Sequence, residues 1–394
     1  MRVKAMQRGA EHLRETLSDL PKLQRNIDPK LHPFEQAREY TRALNATKLE
    51  RVFAKPFVGA LSGHTDGVFC MAKHPLRISS LLSGSCDGEI RLWNLVSEET
   101  IRTYNAHQGF VRGVCISPLG DYFISVGDDK HIKQWRLDYD AVDADLPINA
   151  IITKNSLTGC DHHRKDSQFA TSGSVVELWD VHRSDPISTY SWGADTVTTV
   201  RFNPVETNIL ATCGSDRNIA LYDIRGNTPM RKVILGMRSN AIAWNPMEAF
   251  NFTSVRIYRM SEGHSRDIYH TKRMQRIFTV KWSSDSKFIF CGSDETNIRI
   301  WKAEAAEKLG TLLPRERAAL EYADKLKDSF KHHPAVKRIA RHRHVPKAIH
   351  SAQKEKRIMV DARKTKEGKV RAHSKPGSVP FKIERKKHIV TQVK

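Results

Sequence analysis

Two sets of residues in the first half of the chain combine the side-chain types of a hydrolase triad. A serine nucleophile, a histidine base and an orienting aspartate catalyse acyl transfer when the three side chains meet. Each set also ends in tryptophan, and a buried indole N–H and imidazole need hydrogen-bond partners that serine and aspartate can supply. We therefore interpret both sets as structural. They are His64, Ser83, Asp87 and Trp93, followed by His107, Ser125, Asp129 and Trp135.

No other pattern in the sequence indicates catalysis. The chain has no GxxxxGKS/T phosphate loop, GxSxG elbow, HExxH pair or glycine-rich dinucleotide loop. Residues 160–163, Cys-Asp-His-His, faintly resemble a metal site, but a second ligand cluster is missing from the sequence. The six cysteines form no CxxC pair and are typical of small core residues in a reducing compartment. We expect a non-enzymatic protein that uses no cofactor, metal or small-molecule substrate.

Internal repeats predict the elements that position these residues. Each repeat runs from an apolar segment through a turn rich in Gly, Ser and Asp into an alternating strand that ends in an aromatic residue. The aromatic residues Trp93, Trp135, Trp179 and Tyr222 are 42, 44 and 43 residues apart. A period of ~40–45 residues is typical of a propeller blade. The sequence therefore predicts an all-β WD-repeat propeller over residues 48–302.

One repeat departs from this spacing. Tyr258 follows Tyr222 by only 36 residues, and Trp301 comes 43 residues later. Within residues 250–260, FNFTSVRIYRM, one strand runs into another without a Gly/Asp turn. We count six units, one of them damaged. Residues 48–61 are predicted to supply the outer strand that closes the ring, because an open propeller would expose two strand edges.

The positive charge of the chain is concentrated near its carboxyl end. The net charge is +21, and residues 331–394 hold 20 Lys/Arg against 4 Asp/Glu, whereas residues 61–330 hold 33 of each sign. This separation predicts a polyanionic partner for the tail rather than for the propeller. Nucleic acid is favoured over membrane, because the tail lacks a wide apolar face with aromatic anchors. No segment has the apolar length of a membrane span or the core of a secretory signal.

The remaining segments are predicted to be largely helical. Residues 1–47 form an arm of helical fragments between prolines, and residues 303–394 form a basic helical tail. In the tail, helices are expected from Pro314, around Val336 and Ile339, and over 349–366, and the last residues are expected to be flexible. The side chains predicted to contact RNA phosphates are Lys337, Arg338, Arg341, Arg343, Lys347, Lys375, Arg385, Lys386 and Lys387.

The arm, the propeller and the tail together resemble the SOF family, the WD-repeat and SOF-domain proteins of the nucleolar small-subunit processome. The resemblance is carried by HPFEQAREYTRALNATKLERVFAKPF (32–57), GDDKHIKQW, SDRNIALYDIR, AIAWNPMEAF, KRIARHRHVPK and HSKPGS. It implies a ribosome-biogenesis factor of the nucleus and nucleolus that supports small-subunit rRNA processing through pre-ribosomal RNA and processome proteins. Family members resemble seven-bladed propellers, so about one blade is missing here.

The resemblance also implies an alternative role. Animal relatives resemble substrate receptors of cullin-4 RING ubiquitin ligases, whose adaptor recognises an aromatic residue, Asp, any residue and Arg at the end of a blade strand. Tyr222, Asp223 and Arg225 fit this pattern, whereas Trp179, Asp180 and Arg183 miss it by one position. An aromatic–Asp pair is also common in WD repeats for structural reasons, and a basic tail can serve nuclear import or solubility alone. Both of these alternatives stay open at the level of sequence.

Overall fold

The computed structural model describes residues 32–393 with several gaps. The gaps are 138, 140–145, 192–195, 227–228, 236–254, 259–264, 272–275, 343–344, 346, 382, 384–386 and 388. Contacts divide the chain into two units. The first comprises the residues up to Pro56 and Glu304–His344, and the second comprises Phe57–Ala303 and Val345–Lys394. The sequence-based domains 1–47, 48–302 and 303–394 stay predictions.

The second unit is a β-propeller whose blades are antiparallel sheets. Blades 1, 2 and 3 each contain four strands that pair in chain order. Blade 1 consists of β2 (Val68–Lys73), β3 (Ser80–Ser85), β4 (Glu89–Asn94) and β5 (Glu99–Asn105). Blade 2 consists of β6 (Val111–Ile116), β7 (Tyr122–Gly127), β8 (His131–Arg136) and β9 (Asn149–Ile152). Blade 3 consists of β10 (Gly159–His162), β11 (Gln168–Ser172), β12 (Val176–Asp180) and β13 (Ser188–Tyr190).

The later blades depart from this simple order. Blade 4 consists of β14 (Val197–Phe202), β15 (Ile209–Gly214), β16 (Asn218–Asp223) and β17 (Pro229–Leu235), with β23 (Ile389–Val393) as a fifth strand. Blade 5 is described only as the pair β18 (Val255–Tyr258) and β19 (Ser265–Tyr269). Blade 6 consists of β20 (Ile277–Trp282), β21 (Phe288–Ser293) and β22 (Ile298–Lys302), completed by β1 (Phe57–Leu61).

The hydrophobic core lies between neighbouring blades. The first strands contact one another in the order β20, β2, β6, β10 and β14. Alternation along each blade sends residues such as Ile90 and Leu92 inward. Between blades 1 and 2, these side chains pack with Tyr104, Phe123 and Trp135 in one buried cluster. Similar clusters join blades 2 and 3, blades 3 and 4, and blades 6 and 1. The predicted all-β WD-repeat propeller is confirmed.

The predicted closing strand is correct over only part of its length. β1 pairs antiparallel with β22, with Ala60 opposite Arg299 and Leu61 opposite Ile298. Residues 48–52 were predicted to belong to this strand, and that part is wrong because they end helix α1 (Glu35–Val52). Most residues of α1 are good helix formers such as Ala, Leu, Glu, Lys and Arg, with little β-branching. Helix propensity therefore prevails up to Val52, and the strand begins only at Phe57.

The damaged repeat contains the outer strands of a blade. Tyr269, at the end of β19, stacks on Trp301 of blade 6 with ring centroids 5.4 Å apart. Tyr104, in the fourth strand of blade 1, likewise contacts Trp135 of the next blade, edge to face and at 5.6 Å. β19 therefore occupies the position of a fourth strand, and β18, which ends in Tyr258, occupies that of a third. The segment AIAWNPMEAF and residues 250–254 lie outside the described residues.

The carboxyl end of the chain extends blade 4. β23 pairs antiparallel with β17, so that Val393 lies opposite Lys232 and Thr391 opposite Ile234. These last residues were expected to be flexible, and for 389–393 that expectation is wrong. The sequence IVTQV is rich in β-branched residues, and the outer edge of β17 offers unpaired backbone groups for it to pair with. A single strand pattern of five residues was too short to predict this pairing.

Three helices form the described part of the first unit. They are α1, α2 (Pro314–Ser329) and α3 (Pro334–Ala340). Tyr40 of α1 packs against Phe330 and His333, with ring centroids 5.9 and 4.4 Å away. Lys327 donates to Glu50 at 2.9 Å. Pro314 begins α2 as predicted, and Pro334 begins α3, in keeping with the preference of proline for the first helical turn.

A further helix, α4 (Lys347–Ala372), belongs to the second unit. It covers the predicted range 349–366 and extends beyond it at both ends. The apolar spacing within 349–366 predicts a stripe of Ile358, Met359 and Ala362 on this helix, and all three are exposed, Ile358 by 58% and Met359 by 71%. Among the described residues, no helix is long and apolar enough to cross a bilayer.

Gly88 occupies a turn position that a side chain would disrupt. Its φ is +94°, and a Cβ atom would lie 2.0 Å from the carbonyl oxygen of His107. Lys130 takes the matching turn position in blade 2 with φ of +63°. We expect Gly88→Ala to lower the free energy of unfolding by about 2 kcal/mol or more, since it adds a clash to backbone strain. Urea unfolding measures this change.

Lys130→Gly is the matched control for the turn. It removes a left-handed non-glycine residue without creating a clash, so the free energy of unfolding should stay the same or rise by less than about 1 kcal/mol. Equal destabilisation by the two substitutions would contradict the argument.

Candidate interaction surfaces

The second Ser/His/Asp/Trp set forms one continuous hydrogen-bond network inside blade 2. His107 Nδ1 lies 2.9 Å from Asp129 Oδ1, and His107 Nε2 lies 2.8 Å from Ser125 Oγ. The same serine oxygen accepts from the indole Nε1 of Trp135 at 2.9 Å. Because Ser125 is fully buried and holds two partners, its hydroxyl is not presented to any substrate. The arrangement connects the strands of the blade.

In the first Ser/His/Asp/Trp set, inside blade 1, the aspartate has other hydrogen-bond partners. His64 Nε2 lies 2.6 Å from Ser83 Oγ, which accepts from Trp93 Nε1 at 2.7 Å. Asp87 accepts hydrogen bonds from Thr65 and from the backbone N–H of Glu89. His64 Nδ1 instead lies 3.6 Å from Glu89 Oε2. The predicted network is therefore correct for His64, Ser83 and Trp93, whereas Glu89 rather than Asp87 faces the imidazole.

Two further blades use the same position with other residues. The indole of Trp179 donates to Thr171 Oγ1 at 2.9 Å, and that of Trp301 donates to Cys291 Sγ at 3.0 Å. Sequence reasoning missed both acceptors because neither is serine. The spacing along the sequence could have identified both acceptors, because each lies eight or ten residues before its tryptophan.

The Cys-Asp-His-His segment serves the packing of blade 3. His162 Nε2 lies 2.9 Å from the hydroxyl of Tyr122, and its Nδ1 lies 2.6 Å from the carbonyl oxygen of His163. Asp161 lies 3.2 Å from Arg201 and accepts from the backbone N–H of Phe202 at 2.8 Å. The part of the chain that the structure describes contains no cluster of His, Cys, Asp and Glu suited to a metal ion.

The predicted adaptor motif lies at the end of β16, where strand 3 of blade 4 turns into strand 4. Tyr222 is buried, whereas the side chain of Arg225 is 74% exposed. The Arg225 guanidinium donates to both carboxylate oxygens of Asp223, at 3.1 and 2.9 Å. These hydrogen bonds lower the pKa of Asp223. The pair thus presents a rigid arginine fork at the surface.

The second predicted adaptor sequence has another geometry. Trp179 is buried, and Asp180 caps the turn by accepting from the backbone N–H of His182 at 3.1 Å. Arg183 is exposed two residues after the turn residue Val181. One additional residue therefore separates this aspartate from its arginine, and the fork seen in blade 4 is not formed by these hydrogen bonds.

The basic side chains of α3 point outward. Val336 is 3% exposed and Ile339 is half-buried, while Lys337, Arg338 and Arg341 are exposed. This is the orientation that the apolar spacing predicted. Arg343 lies outside the described residues.

Helix α4 is the largest described basic element. It contains nine Lys/Arg and three Asp/Glu in 26 residues, a length of about 39 Å. Lys347 was predicted as an RNA contact, but most cations of this helix were missed, among them the exposed Lys354, Lys356, Lys364 and Lys366. The prediction relied on short Lys/Arg clusters elsewhere in the tail. The sequence of this helix also shows a high density of lysine.

The remaining predicted RNA contacts differ in their surroundings. Lys375 is exposed in the turn that follows α4. Lys387 donates to both carboxylate oxygens of Glu367 in α4, at 2.9 and 2.7 Å. Arg385 and Lys386 lie outside the described residues. Lys387 therefore ties the carboxyl-terminal segment to the helix, and its role in RNA binding stays a prediction.

These features define a WD-repeat propeller protein with a basic helical carboxyl-terminal region, and comparisons with known proteins give its family. Residues 303–389 match the Sof1-like domain, and four ranges match the WD domain, G-beta repeat: 55–94, 98–136, 184–223 and 259–302. The DDB1- and CUL4-associated factor 13 proteins of Xenopus laevis and Gallus gallus are 51% and 52% identical to this chain over the full length of each. Protein SOF1 of Saccharomyces cerevisiae is 40% identical over all of this chain and 95% of its own length. The chain belongs to the Sof1 family of WD-repeat proteins.

The alignments also show how this chain differs from its relatives. The alignment with the Xenopus laevis protein spans 444 positions, whereas this chain has 394 residues, so about 50 positions have no counterpart here. One WD repeat occupies ~40–45 residues. The difference therefore equals about the length of one blade, which is the amount that the resemblance to seven-bladed family members implied.

The buried imidazole of His64 makes stability depend on pH. Burial, and to a lesser extent the charge of Arg91, lower the pKa of His64 from 6.5 to about 4. Because the unfolded chain binds this proton more readily, stability is full above pH 6.5 and falls as the pH drops toward 4. We expect His64 alone to reduce the free energy of unfolding by about 2 kcal/mol between pH 7 and pH 5. Urea unfolding at the two pH values measures the loss.

His64→Gln provides the comparison. It should be less stable than the wild type at pH 7, because Ser83 loses its contact with the imidazole and keeps only Trp93, but it should show a smaller loss between pH 7 and pH 5. An identical pH-dependent loss in the variant would show that the imidazole is not the responsible group.

Proposed function

We propose that this protein is a non-enzymatic ribosome-biogenesis factor of the nucleolar small-subunit processome, which supports rRNA processing through protein contacts of the propeller and RNA contacts of the basic tail. The proposal is supported by membership of the Sof1 family and by the match of residues 303–389 to the Sof1-like domain. Its partners would be pre-ribosomal RNA and processome proteins, and its location the nucleus and nucleolus.

The proposed contact with RNA is supported mainly by the exposed positive charge of α4. Its cations extend around a helix whose side chains are almost all in solvent, including the apolar Ile358 and Met359. Lysines and arginines neutralise phosphates and release counterions, and arginine can also stack on unpaired bases. A 26-residue helix with exposed cations can therefore follow an RNA backbone.

The affinity for single-stranded RNA should depend strongly on salt. If the tail neutralises roughly six phosphates, log affinity should fall against log salt concentration with a slope of about −4. Replacing Lys354, Lys356, Lys364 and Lys366 together by Gln should make the slope about 3 units shallower. Fluorescence anisotropy of a labelled RNA across a salt series measures both slopes, and the full-length chain retains both structural units.

The matched control replaces four exposed lysines outside the tail, namely Lys55, Lys154, Lys165 and Lys287, by Gln. This variant has the same net charge as the α4 variant, and its salt slope should equal that of the wild type. Equal slopes in the α4 variant and the wild type, or an equal loss in both variants, would remove the assignment of RNA contact to α4.

A second function is favoured by the geometry at the end of β16. The Asp223–Arg225 pair presents an ordered arginine at the surface, and the vertebrate relatives are named DDB1- and CUL4-associated factor 13. We infer that this arginine docks the DDB1 adaptor of a cullin-4 ubiquitin ligase, with Tyr222 holding the turn in place from the core. The planar fork of arginine suits this role, because a lysine cannot form the bidentate pair.

Substitution of Arg225 should weaken recovery of DDB1 with the tagged protein. We expect Arg225→Ala to reduce recovery severalfold and Arg225→Lys to restore it only partly, since one hydrogen bond of the fork is lost. Arg183→Ala, which changes an arginine without such a fork, is the matched control. RNA binding should be unaffected. Loss of RNA and DDB1 binding together, or of neither, would count against a dedicated adaptor contact at Arg225.

A further inference from the structure

One end of the propeller carries three phenyl rings that are partly in solvent. Phe69 and Phe278 are the second residues of β2 and β20, each at a register shift in its strand, and their ring centroids lie 5.7 Å apart. Phe110, just before β6, is 41% exposed, and Phe278 is 39% exposed. Exposed aromatic rings at neighbouring positions are typical of an interaction surface.

Backbone hydrogen bonds bring carboxylates to the same end of the blades. The N–H of Asp128 donates to the carbonyl of Phe110 at 3.1 Å, and the N–H of Asp294 donates to that of Arg276 at 3.1 Å. Cys86 donates in the same way to Gly67, next to Asp66. Asp66, Asp128 and Asp294 are all exposed. We call these three aspartates, with Phe69, Phe110, Phe278 and Arg112, the entry-face patch.

The patch is acidic. Burial, followed by the charge of Asp66, raises the pKa of the Cys86 thiol to about 11; the charge of Arg112 opposes this rise, and the charges of Asp294 and Asp87 add to it. Several carboxylates therefore face one thiol. Among the described residues named here, the three aspartates of the patch and the neighbouring Asp87 stand against two cations, Arg112 and Arg276, an excess of two negative charges. The patch thus has the opposite sign to the tail.

Arg112 shows how this surface holds a guanidinium. Its Cζ atom lies 5.0 Å from the ring centroid of Phe69 and 4.8 Å from that of Phe110. Its Nε and Nη2 atoms donate to the two carboxylate oxygens of Asp128, each at 2.7 Å. Ring faces and a carboxylate together form a cation–π and bidentate site for arginine. On the other side of Phe69, Asp294 Oδ1 and Phe278 Cε2 lie 3.3 and 3.4 Å from the position that a Cβ atom of Gly67 would take, so a ring and a carboxylate are again close together.

We propose that the entry-face patch binds an arginine-rich segment of a partner protein, with an incoming guanidinium over Phe278 and its charge paired with Asp294 and Asp66. Charge complementarity selects a cationic peptide, and the phenyl faces select arginine over lysine. Nucleic acid is disfavoured, because its phosphates would meet the carboxylates. The site is independent of RNA binding by α4 and of the arginine fork on blade 4.

The test is the affinity of the full-length chain for a fluorescein-labelled peptide of four arginines separated by Gly-Ser spacers, measured by anisotropy. Asp66→Asn with Asp294→Asn should weaken binding about three- to tenfold. Phe278→Ala should weaken it about two- to fivefold. Phe278→Leu keeps apolar bulk without a ring face, and it should behave as Phe278→Ala does. The corresponding lysine peptide should bind several-fold more weakly than the arginine peptide.

Matched controls separate this site from general charge attraction. Asp121 and Asp185 are exposed in turns at the opposite end of the blades, so Asp121→Asn with Asp185→Asn should leave peptide binding unchanged. Urea unfolding confirms that each variant is folded. No binding by the wild type, an equal loss in the two double variants, or equal affinity for the two peptides would overturn the proposal. Loss of RNA binding in Phe278→Ala would also overturn it, because the surface would then bind nucleic acid.

Discussion

The pairing of β1 with β22 is the contact on which the last blade depends. It joins residues near the start of the described chain to residues about 240 positions later, and it covers an edge of β22 that would otherwise expose unpaired N–H and C=O groups. Leu61, at the end of β1, is fully buried with Val68, Trp93 and Ile298 in the cluster between blades 6 and 1. One strand thus completes a sheet and seals an interblade core.

The first and last described strands, β1 and β23, add to the edges of different blades. β1 satisfies the edge of blade 6, whereas β23 extends blade 4 outward by adding to an edge that already belongs to a complete sheet. Between β22 and β23 lie α2 and α3, which belong to the first unit, and the long basic helix α4, which belongs to the second. Because Lys387 pairs with Glu367, and Arg371 lies over the ring of Phe381 at 4.8 Å, the segment after α4 folds back along that helix. The basic region is therefore tethered at its carboxyl end.

Opposite charges on separate surfaces suit the two kinds of partner that we propose. Helix α4 carries a net charge of +6 in solvent, while the entry-face patch combines aspartates with phenyl rings. A uniformly basic protein would bind polyanions over its entire surface. A propeller with as many acids as bases confines that attraction to the tail and leaves its own faces free to discriminate among protein segments. The shortened repeat removes blade length without altering this separation.

The sequence alone determined the propeller, the aromatic residues that end its strands, the incomplete repeat and the family, because turn chemistry, strand alternation and a period near 43 residues are local and repeated. It also determined the sign of the charge in the tail. Only the tertiary structure decided that Glu89 faces His64, that Thr171 and Cys291 replace serine, and that β23 pairs with β17. It also brought Phe69, Phe110 and Phe278 together from three blades. These depend on register and on contacts between distant segments, and neither composition nor spacing encodes which surfaces meet.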